Sequence, residues 1–230
     1  MPGGEDAIIP DPIVWLSYVA GSTSKIKLGT GIVILPQRNP IMFAKEMATL
    51  DLVSNGRALL GVGVGWLKEE FEVLGVPFSD RAKRTDENIG ALRALWRDNP
   101  SSFNGELVNF ENLKSNPKPV QKGGVPIIIG GHSSAAAKRA GRLGDGFFPA
   151  ITDVDKLTSL VEEMKKSAEE SGRDPGSIEI TFGASFDEGV IRHFRDIGVS
   201  RLVIPPLGRD KESLKTFLGN FRDVVDKALR

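Results

Sequence analysis

The apolar positions of this chain form short runs typical of buried strands, and these alternate with longer segments of helical spacing. The strand runs are rich in Val, Ile and Leu, whereas the helical segments keep charged residues on one face. The predicted strands are 24–35, 58–65, 126–130, 146–150, 178–183 and 201–205. The predicted helices are 12–19, 41–53, 66–74, 81–96, 134–143, 154–171, 187–197 and 210–228. This alternation predicts one α/β domain, residues 1–230, built on a parallel sheet.

Capping residues mark two of the helix starts. Asp11 precedes Pro12 and Asn39 precedes Pro40. A side-chain oxygen at the cap can accept from the free N–H groups of the first turn, where proline needs no donor. The alternation breaks at residues 97–125, which we predict to form an excursion that contains a short hairpin.

Composition narrows the possible functions. At 230 residues and 40% hydrophobic content, the chain can bury a substantial core. Thirty basic residues balance thirty acidic ones, so nothing predicts binding to nucleic acid or to an anionic membrane. The absence of cysteine excludes disulfides and fits a cytoplasmic location. No apolar run approaches the ~18 residues of a membrane helix, and no side-chain cluster has metal-ligand spacing, so we predict no metal.

The junction between the first strand and its helix is the most informative feature. The strand carries Gly29 and Gly31 near its end and leads directly into a capped helix. A glycine-rich exit from a parallel strand lets a flat ligand lie against the backbone. Arg38, which follows, could bind an anionic ligand tail or pair with a local carboxylate.

Three glycines recur inside the next strand, at Gly61, Gly63 and Gly65. Their spacing, and their position within the strand, do not fit a dinucleotide-binding turn. Either small residues let a barrel interior close here, or Gly63 and Gly65 admit a ligand. Trp66, just beyond them, could stack on a ring or fill the core.

A third glycine junction joins strand 126–130 to helix 134–143 through Gly130, Gly131, His132 and Ser133. The first turn of a helix offers free N–H donors, so this junction favours a phosphate group. The alternative is an ordinary serine cap and glycine turn, with His132 bonded only to neighbouring backbone. We predict no role for His193, on a charged helix face.

Six motifs together resemble the bacterial luciferase-like monooxygenase family, and most closely its branch of coenzyme F420-dependent oxidoreductases. They are LGTGIV (28–33), PQRNP (36–40), ATLD (48–51), SNGR (54–57), GVGVGW (61–66) and GDG (144–146). The similarity runs from about Asp11 to the end of the chain. The ordered series is specific for the family but says little about the substrate.

The resemblance implies an incomplete (β/α)8 TIM barrel of the luciferase-like type. The first strand, first helix and second strand of the family barrel would be absent, which leaves about six parallel strands. A misassigned initiation codon, a shortened expressed fragment or a natural shortening would each explain a start at Met1. A histidine that F420-dependent relatives present on the second strand would lie in the absent part. Trp66 stands where some relatives have a glutamate, so no catalytic residue is assigned.

The resemblance also implies where a cofactor would bind. In the family, a non-prolyl cis peptide bond supports the middle ring of the flavin or deazaflavin, and the matching bond here joins Gly31 and Ile32. The further cofactor-lining positions are Gly63, Val64, Gly65 and Trp66, and the phosphate-binding positions are Gly130, Gly131, His132 and Ser133.

From this resemblance the chain is expected to be an oxidoreductase. It would transfer hydride between coenzyme F420, or FMN as second choice, and a small organic substrate. The alternative is a flavin-binding or partner-subunit barrel without turnover, of the kind this family also contains. The family tends to form dimers, so we expect a homodimer.

Overall fold

The structure, a computed structural model, describes residues 6–208 and 210–230. The chain falls into two compact units, the first ending at Ile128 and the second beginning at Ile129. The boundary lies inside one strand, Ile127–Gly130, so each unit holds part of it. That residues 1–230 form one domain stays a prediction.

The first unit combines a parallel sheet with four helices and a hairpin in its described part. Its elements are α1 (Pro12–Ser22), β1 (Leu28–Gly29), β2 (Val33–Ile34), α2 (Pro40–Val53), β3 (Ala58–Gly63), α3 (Lys68–Val73), α4 (Arg81–Arg97), β4 (Ser101–Asn104), β5 (Asn109–Leu113) and the start of β6 (Ile127–Gly130). A single 3-10 turn, Leu35–Gln37, precedes α2. β1 and β2 both pair in parallel with β3, and β6 follows β3 in the sheet. β3 is buried along its whole length, as a strand between layers should be.

The second unit continues the strand–helix alternation. After the end of β6 it contains α5 (Ser134–Leu143), β7 (Gly146–Phe148), α6 (Val154–Glu170), a 3-10 turn (Pro175–Ser177), β8 (Glu179–Gly183), α7 (Glu188–Ile197), β9 (Val199–Val203) and α8 (Lys211–Leu229). Its strands follow the order β6, β7, β8, β9, and the β7–β8 and β8–β9 pairs are parallel. Phe147 and Met164 are fully buried in its core. The predicted α/β class with a parallel sheet is therefore confirmed.

The predicted helix caps are confirmed. Asp11 Oδ1 accepts from the backbone N–H groups of Ile13 and Val14 at 2.9 and 3.1 Å. In the same way Asn39 Oδ1 accepts from the first turn of α2, with Pro40 at its first position. Most element ends lie within about three residues of their predicted positions.

The excursion at 97–125 contains the predicted hairpin. β4 and β5 pair antiparallel, with Phe103 opposite Phe110 and their rings 6.2 Å apart. Gln121 fixes the far end of the excursion to α2, because its Nε2 donates to Asp51 Oδ1 at 2.7 Å and its backbone N–H donates to Oδ2 at 3.1 Å. The buried carboxylate of Asp51 is thereby satisfied.

The prediction of one continuous strand at 24–35 is wrong. Only Leu28–Gly29 and Val33–Ile34 have strand geometry, and the residues between them leave the ladder. The physical reason is an extra residue in this segment, described below. In the part of the chain that the structure describes, no helix has both the length and the apolar character needed to cross a membrane.

Candidate functional site

The segment between β1 and β2 forms a bulge against β3. Gly29 lies opposite Leu59 and Val33 opposite Val62, so four steps along one segment face three along the other. One residue is therefore in excess, which is the definition of a β-bulge. Bulges interrupt the backbone ladder and redirect the residues they contain, here Thr30 to Ile32.

Thr30 replaces the hydrogen bonds that the bulge removes. Its Oγ1 donates to Gly61 O and accepts from Gly61 N–H, each at 2.8 Å. Gly61 lies in a strand that is buried along its whole length, so without Thr30 both of its polar groups would stay unsatisfied in the interior. A hydroxyl group suits this place because it can donate and accept at once.

The glycines in β3 and just after it make room for the bulge and for the segment that follows the bulge. A Cβ atom on Gly61 would lie 2.1 Å from Thr30 O, and one on Gly63 would lie 2.5 Å from Ile32 Cδ1. A Cβ on Gly65 would lie 2.7 Å from both Ile34 and Phe71. Of the two sequence-based interpretations, this favours close packing within the protein. Contact of Gly63 and Gly65 with a cofactor stays a prediction.

The outer surface of the bulge is open. A Cβ on Gly31 would meet nothing within 4 Å, and Ile32 is 38% exposed although it is apolar. The peptide bond between Gly31 and Ile32 is cis, as the resemblance implies. Trp66 is 75% exposed, so it does not fill the core, while Val64 is half-buried. The first unit thus presents an open, apolar surface with no ionisable side chain at its predicted cofactor positions.

The second unit presents the predicted phosphate-binding turn. Gly131 has φ +128°, and a Cβ there would lie 2.8 Å from Ala136 Cβ. Ser133 caps α5, accepting from Ala136 N–H at 3.3 Å. The backbone N–H groups of Ser134 and Ala135 find no acceptor within residues 6–208 and 210–230.

The residues of this turn lie at or near the protein surface. Both His132 and Ser133 are exposed, and Gly130 is half-buried. The turn therefore offers free donors at a helix N-terminus, as the sequence predicts. Binding of a phosphate there is not tested by the geometry and stays a prediction.

Arg38 pairs with a carboxylate of the protein itself. Its Nη2 lies 2.7 Å from Asp11 Oδ2, and this bond, against the opposing effect of burial, lowers the pKa of Asp11 below its usual value. Of the two alternatives for Arg38, the structure supports the local carboxylate. His193 is half-buried, and its Nε2 forms a hydrogen bond of 3.0 Å with Thr158 Oγ1 on α6, so it connects two helices.

Sequence analysis missed the role of Thr30 and its hydrogen bonds with Gly61. In the sequence Thr30 looks like one more residue of the predicted strand 24–35. Only the unusual number of glycines in this strand and in strand 58–65 could have indicated that their backbones approach closely.

A model of the luciferase-like monooxygenase family matches residues 2–186 of this chain. The chain belongs to this family. A protein of Mycobacterium tuberculosis is 32% identical over 225 residues, which cover 95% of this chain and 77% of that relative. The family prediction from the sequence motifs is thereby confirmed.

Two further relatives have names that state the cofactor they depend on. The F420-dependent glucose-6-phosphate dehydrogenase of Kineococcus radiotolerans is 35% identical over 191 residues, covering 80% of this chain and 56% of that enzyme. The FMNH2-dependent dimethylsulfone monooxygenase of Pseudomonas putida is 32% identical over 154 residues, covering 66% of this chain and 42% of that enzyme. The family of this chain therefore includes relatives that depend on either cofactor.

A solved structure confirms the fold. The coenzyme F420-dependent tetrahydromethanopterin reductase of Methanopyrus kandleri matches with a TM-score of 0.76 and 20% identity, over 91% of this chain and 86% of that chain. At this identity the likeness concerns the fold alone, and it places the chain in the luciferase-like TIM-barrel class.

Proposed function

We propose that this protein is an oxidoreductase that transfers hydride between coenzyme F420 and a small organic substrate. The observation that carries the proposal is the open, apolar outer surface of the bulge at Gly31 and Ile32, in a chain of the luciferase-like family. A planar ring system needs a surface free of side-chain obstruction, and the missing Cβ of Gly31 leaves one.

Each predicted cofactor position keeps the role that the family resemblance implies, and the two units are taken separately. In the first unit Gly31, Ile32 and Trp66 would contact the ring, with Gly63, Val64 and Gly65 beneath and beside them. In the second unit the turn Gly130–Gly131–His132–Ser133 would donate hydrogen bonds to a phosphate. When bound, F420 supplies a ring that accepts or releases hydride, and the protein supplies position and exclusion of water.

The choice of F420 over FMN is part of the proposal. It follows the motif resemblance and the Kineococcus relative, whereas the Pseudomonas relative supports FMN. This chain covers less than two thirds of the length of each of these relatives, so we do not propose their substrates for it. We also keep the cytoplasm as the predicted compartment and a small molecule as the predicted substrate.

A second candidate is a flavin-binding protein without turnover. It is favoured by one observation: none of the six predicted cofactor positions in the first unit has an ionisable side chain. A proton that accompanies hydride transfer would need a donor or acceptor from elsewhere.

Titration of the purified protein with F420 and, separately, with FMN tests both candidates. Binding is measured by quenching of cofactor fluorescence, and turnover by the absorbance change of F420 with alcohols, aldehydes or sugar phosphates. Binding with turnover supports the oxidoreductase, and binding without turnover supports the second candidate. Absence of binding to both cofactors contradicts both.

The variant Gly31→Ala tests the proposed surface itself. Its new methyl group points into open space, so the fold should be kept, but a ring lying there should be displaced. We expect the Kd for the preferred cofactor to rise at least about tenfold. Gly219→Ala is the matched control, since a Cβ at Gly219 in α8 also meets nothing within 4 Å. Unchanged affinity in Gly31→Ala would contradict the assignment.

A further inference from the structure

The second unit contains a cavity of about 290 Å³ between α7, β9 and α8. Seven of its nine lining residues are apolar, and the other two are Arg195 and Ser200. None of the nine is a predicted cofactor position, and none belongs to the turn at 130–133. A concave site with mainly apolar walls is the usual setting for a small-molecule ligand. The proposed function leaves this cavity without a role.

Helix α7 forms the floor of the cavity and helix α8 forms one wall. Ile191 and Phe194 of α7 are 2 and 3% exposed. Phe221 and Val225 of α8 are half-buried, whereas Leu229 is 48% exposed and therefore lies at the mouth. Because residues three or four positions apart share a helix face, each helix presents a continuous row of apolar side chains. A ligand between the two rows would contact carbon atoms on both sides.

Helix α8 has an apolar face that is incompletely covered. Of its 19 residues only Ala228 is buried. An amphipathic helix of a folded domain ordinarily buries its apolar stripe, but here the stripe that contains Phe221 and Val225 borders the cavity. Apolar atoms beside unfilled space lose the dispersion contacts that neighbouring atoms would supply. A molecule that fills the cavity would supply these contacts and connect α8 to α7.

The polar groups at the cavity do not require a charged ligand. Arg195 is paired with Asp196, with Nη2 2.9 Å from Oδ1, and both side chains are more than half exposed. An anion would gain little from a cation that already has a partner and is screened by water. Ser200 Oγ donates to Ile180 O at 3.4 Å. A cation would meet no carboxylate among the lining residues, all of which the structure describes. The ligand should therefore be neutral.

The volume of the cavity limits the ligand to one ring with a short substituent. An apolar cavity of roughly 150 Å³ is enough to hold benzene, whereas a held water needs about two to four polar partners. We propose that this cavity binds a neutral, apolar molecule of the size of an alkylbenzene. The site shares no residue with the positions proposed for the cofactor, so the two proposals stand or fall independently.

Ethylbenzene and benzoate are matched probes, because both have one ring with a short substituent and only benzoate is charged at pH 7. A ¹H–¹³C NMR titration of the full chain follows the methyl signals of Ile191, Leu202 and Val225, which the ring current of a bound aromatic molecule shifts. We expect saturable shifts with ethylbenzene, with a Kd below about 1 mM, and at least about tenfold weaker binding of benzoate.

Three outcomes of this titration would overturn the proposal. The first is equal affinity for the two probes, and the second is the absence of a saturable shift up to the solubility limit of ethylbenzene. The third is a shift of the same methyl signals when the protein alone is concentrated, because a second copy of the chain would then occupy the cavity.

Val225→Phe provides the variant test, since the added ring takes up space inside the cavity. We expect the Kd for ethylbenzene to rise at least about tenfold. Leu218→Phe is the matched control on the same helix, because Leu218 is 44% exposed and does not line the cavity. If Val225→Phe does not fold, Leu229→Phe decides in its place, since it narrows the mouth from an exposed position. Equal weakening by the control, or unchanged affinity in the folded cavity variant, contradicts the assignment.

Discussion

Thr30 joins the bulge to β3 through one hydroxyl group, and this makes it the residue on which the local geometry depends. The variant Thr30→Val has nearly the same shape but can neither donate to Gly61 O nor accept from Gly61 N–H. Because both groups are buried, we expect a loss of about 2–4 kcal/mol in the free energy of unfolding. Urea denaturation of both proteins measures it.

Thr30→Ser is the control for that prediction. It keeps both hydrogen bonds and removes only a methyl group, so its cost should be about 1 kcal/mol. If the serine variant were as unstable as the valine variant, packing of the methyl group and not the hydrogen bonds would explain the effect.

The same residue shows what the sequence could not reveal. The apolar pattern continues through Gly31 and Ile32, so it predicts an unbroken strand, and the bulge depends on a hydroxyl group that meets a strand thirty residues later. The glycines at 61, 63 and 65 were visible, but the atoms that approach them were not. Asn88 on α4 is also buried, at 1% exposed, and no sequence pattern predicted the burial of this polar residue.

At the scale of elements, Glu87 ties the hairpin turn to helix α4. Its Oε2 accepts from the backbone N–H groups of Leu107 and Val108 at 2.8 and 3.1 Å. Burial raises the pKa of Glu87, but hydrogen bonds from Leu107, Val108 and Glu106 outweigh it, so the pKa lies below its usual value of 4.5. The carboxylate therefore stabilises the fold above pH 4.5, and this contribution is lost as the pH falls through the lowered pKa.

The variant Glu87→Gln tests this attachment. At pH 7 we expect the free energy of unfolding to fall by about 1–2 kcal/mol, because a neutral amide is the weaker acceptor. The difference from the wild type should shrink as the pH falls below 4.5. Urea denaturation across pH measures this, with the exposed Glu111→Gln of β5 as control. A difference that is constant with pH would show that the charge of Glu87 has no part in it.

The sequence correctly predicted those elements that are marked by residues within or next to them, such as helix caps and turn residues. Helices α1 and α2 begin where their caps Asp11 and Asn39 indicated, since a cap acts within three residues of itself. The hairpin was visible from alternation and turn residues. Its attachment through Glu87 was not, because it joins residues about twenty positions apart and no local pattern records such a bond.

At the scale of the whole molecule, the apolar surface of α1 favours self-association. Val14, Trp15 and Tyr18 are 72, 54 and 71% exposed, and the rings of Trp15 and Tyr18 are stacked 6.0 Å apart. Their spacing places them on one helix face, and contiguous apolar surface of this kind usually marks an interface. With thirty basic and thirty acidic residues, net charge does not oppose contact between two copies.

We therefore predict a homodimer that uses this face of α1. The variant Trp15→Glu places a charge in the interface and should weaken dimerisation at least about tenfold, measured by sedimentation equilibrium. Val73→Glu is the control, because Val73 is 88% exposed on α3, outside this face. Since the contact is apolar, added salt should not dissociate the wild-type dimer. A monomeric wild type would contradict the prediction, whereas equal weakening by both variants would assign the contact to another surface.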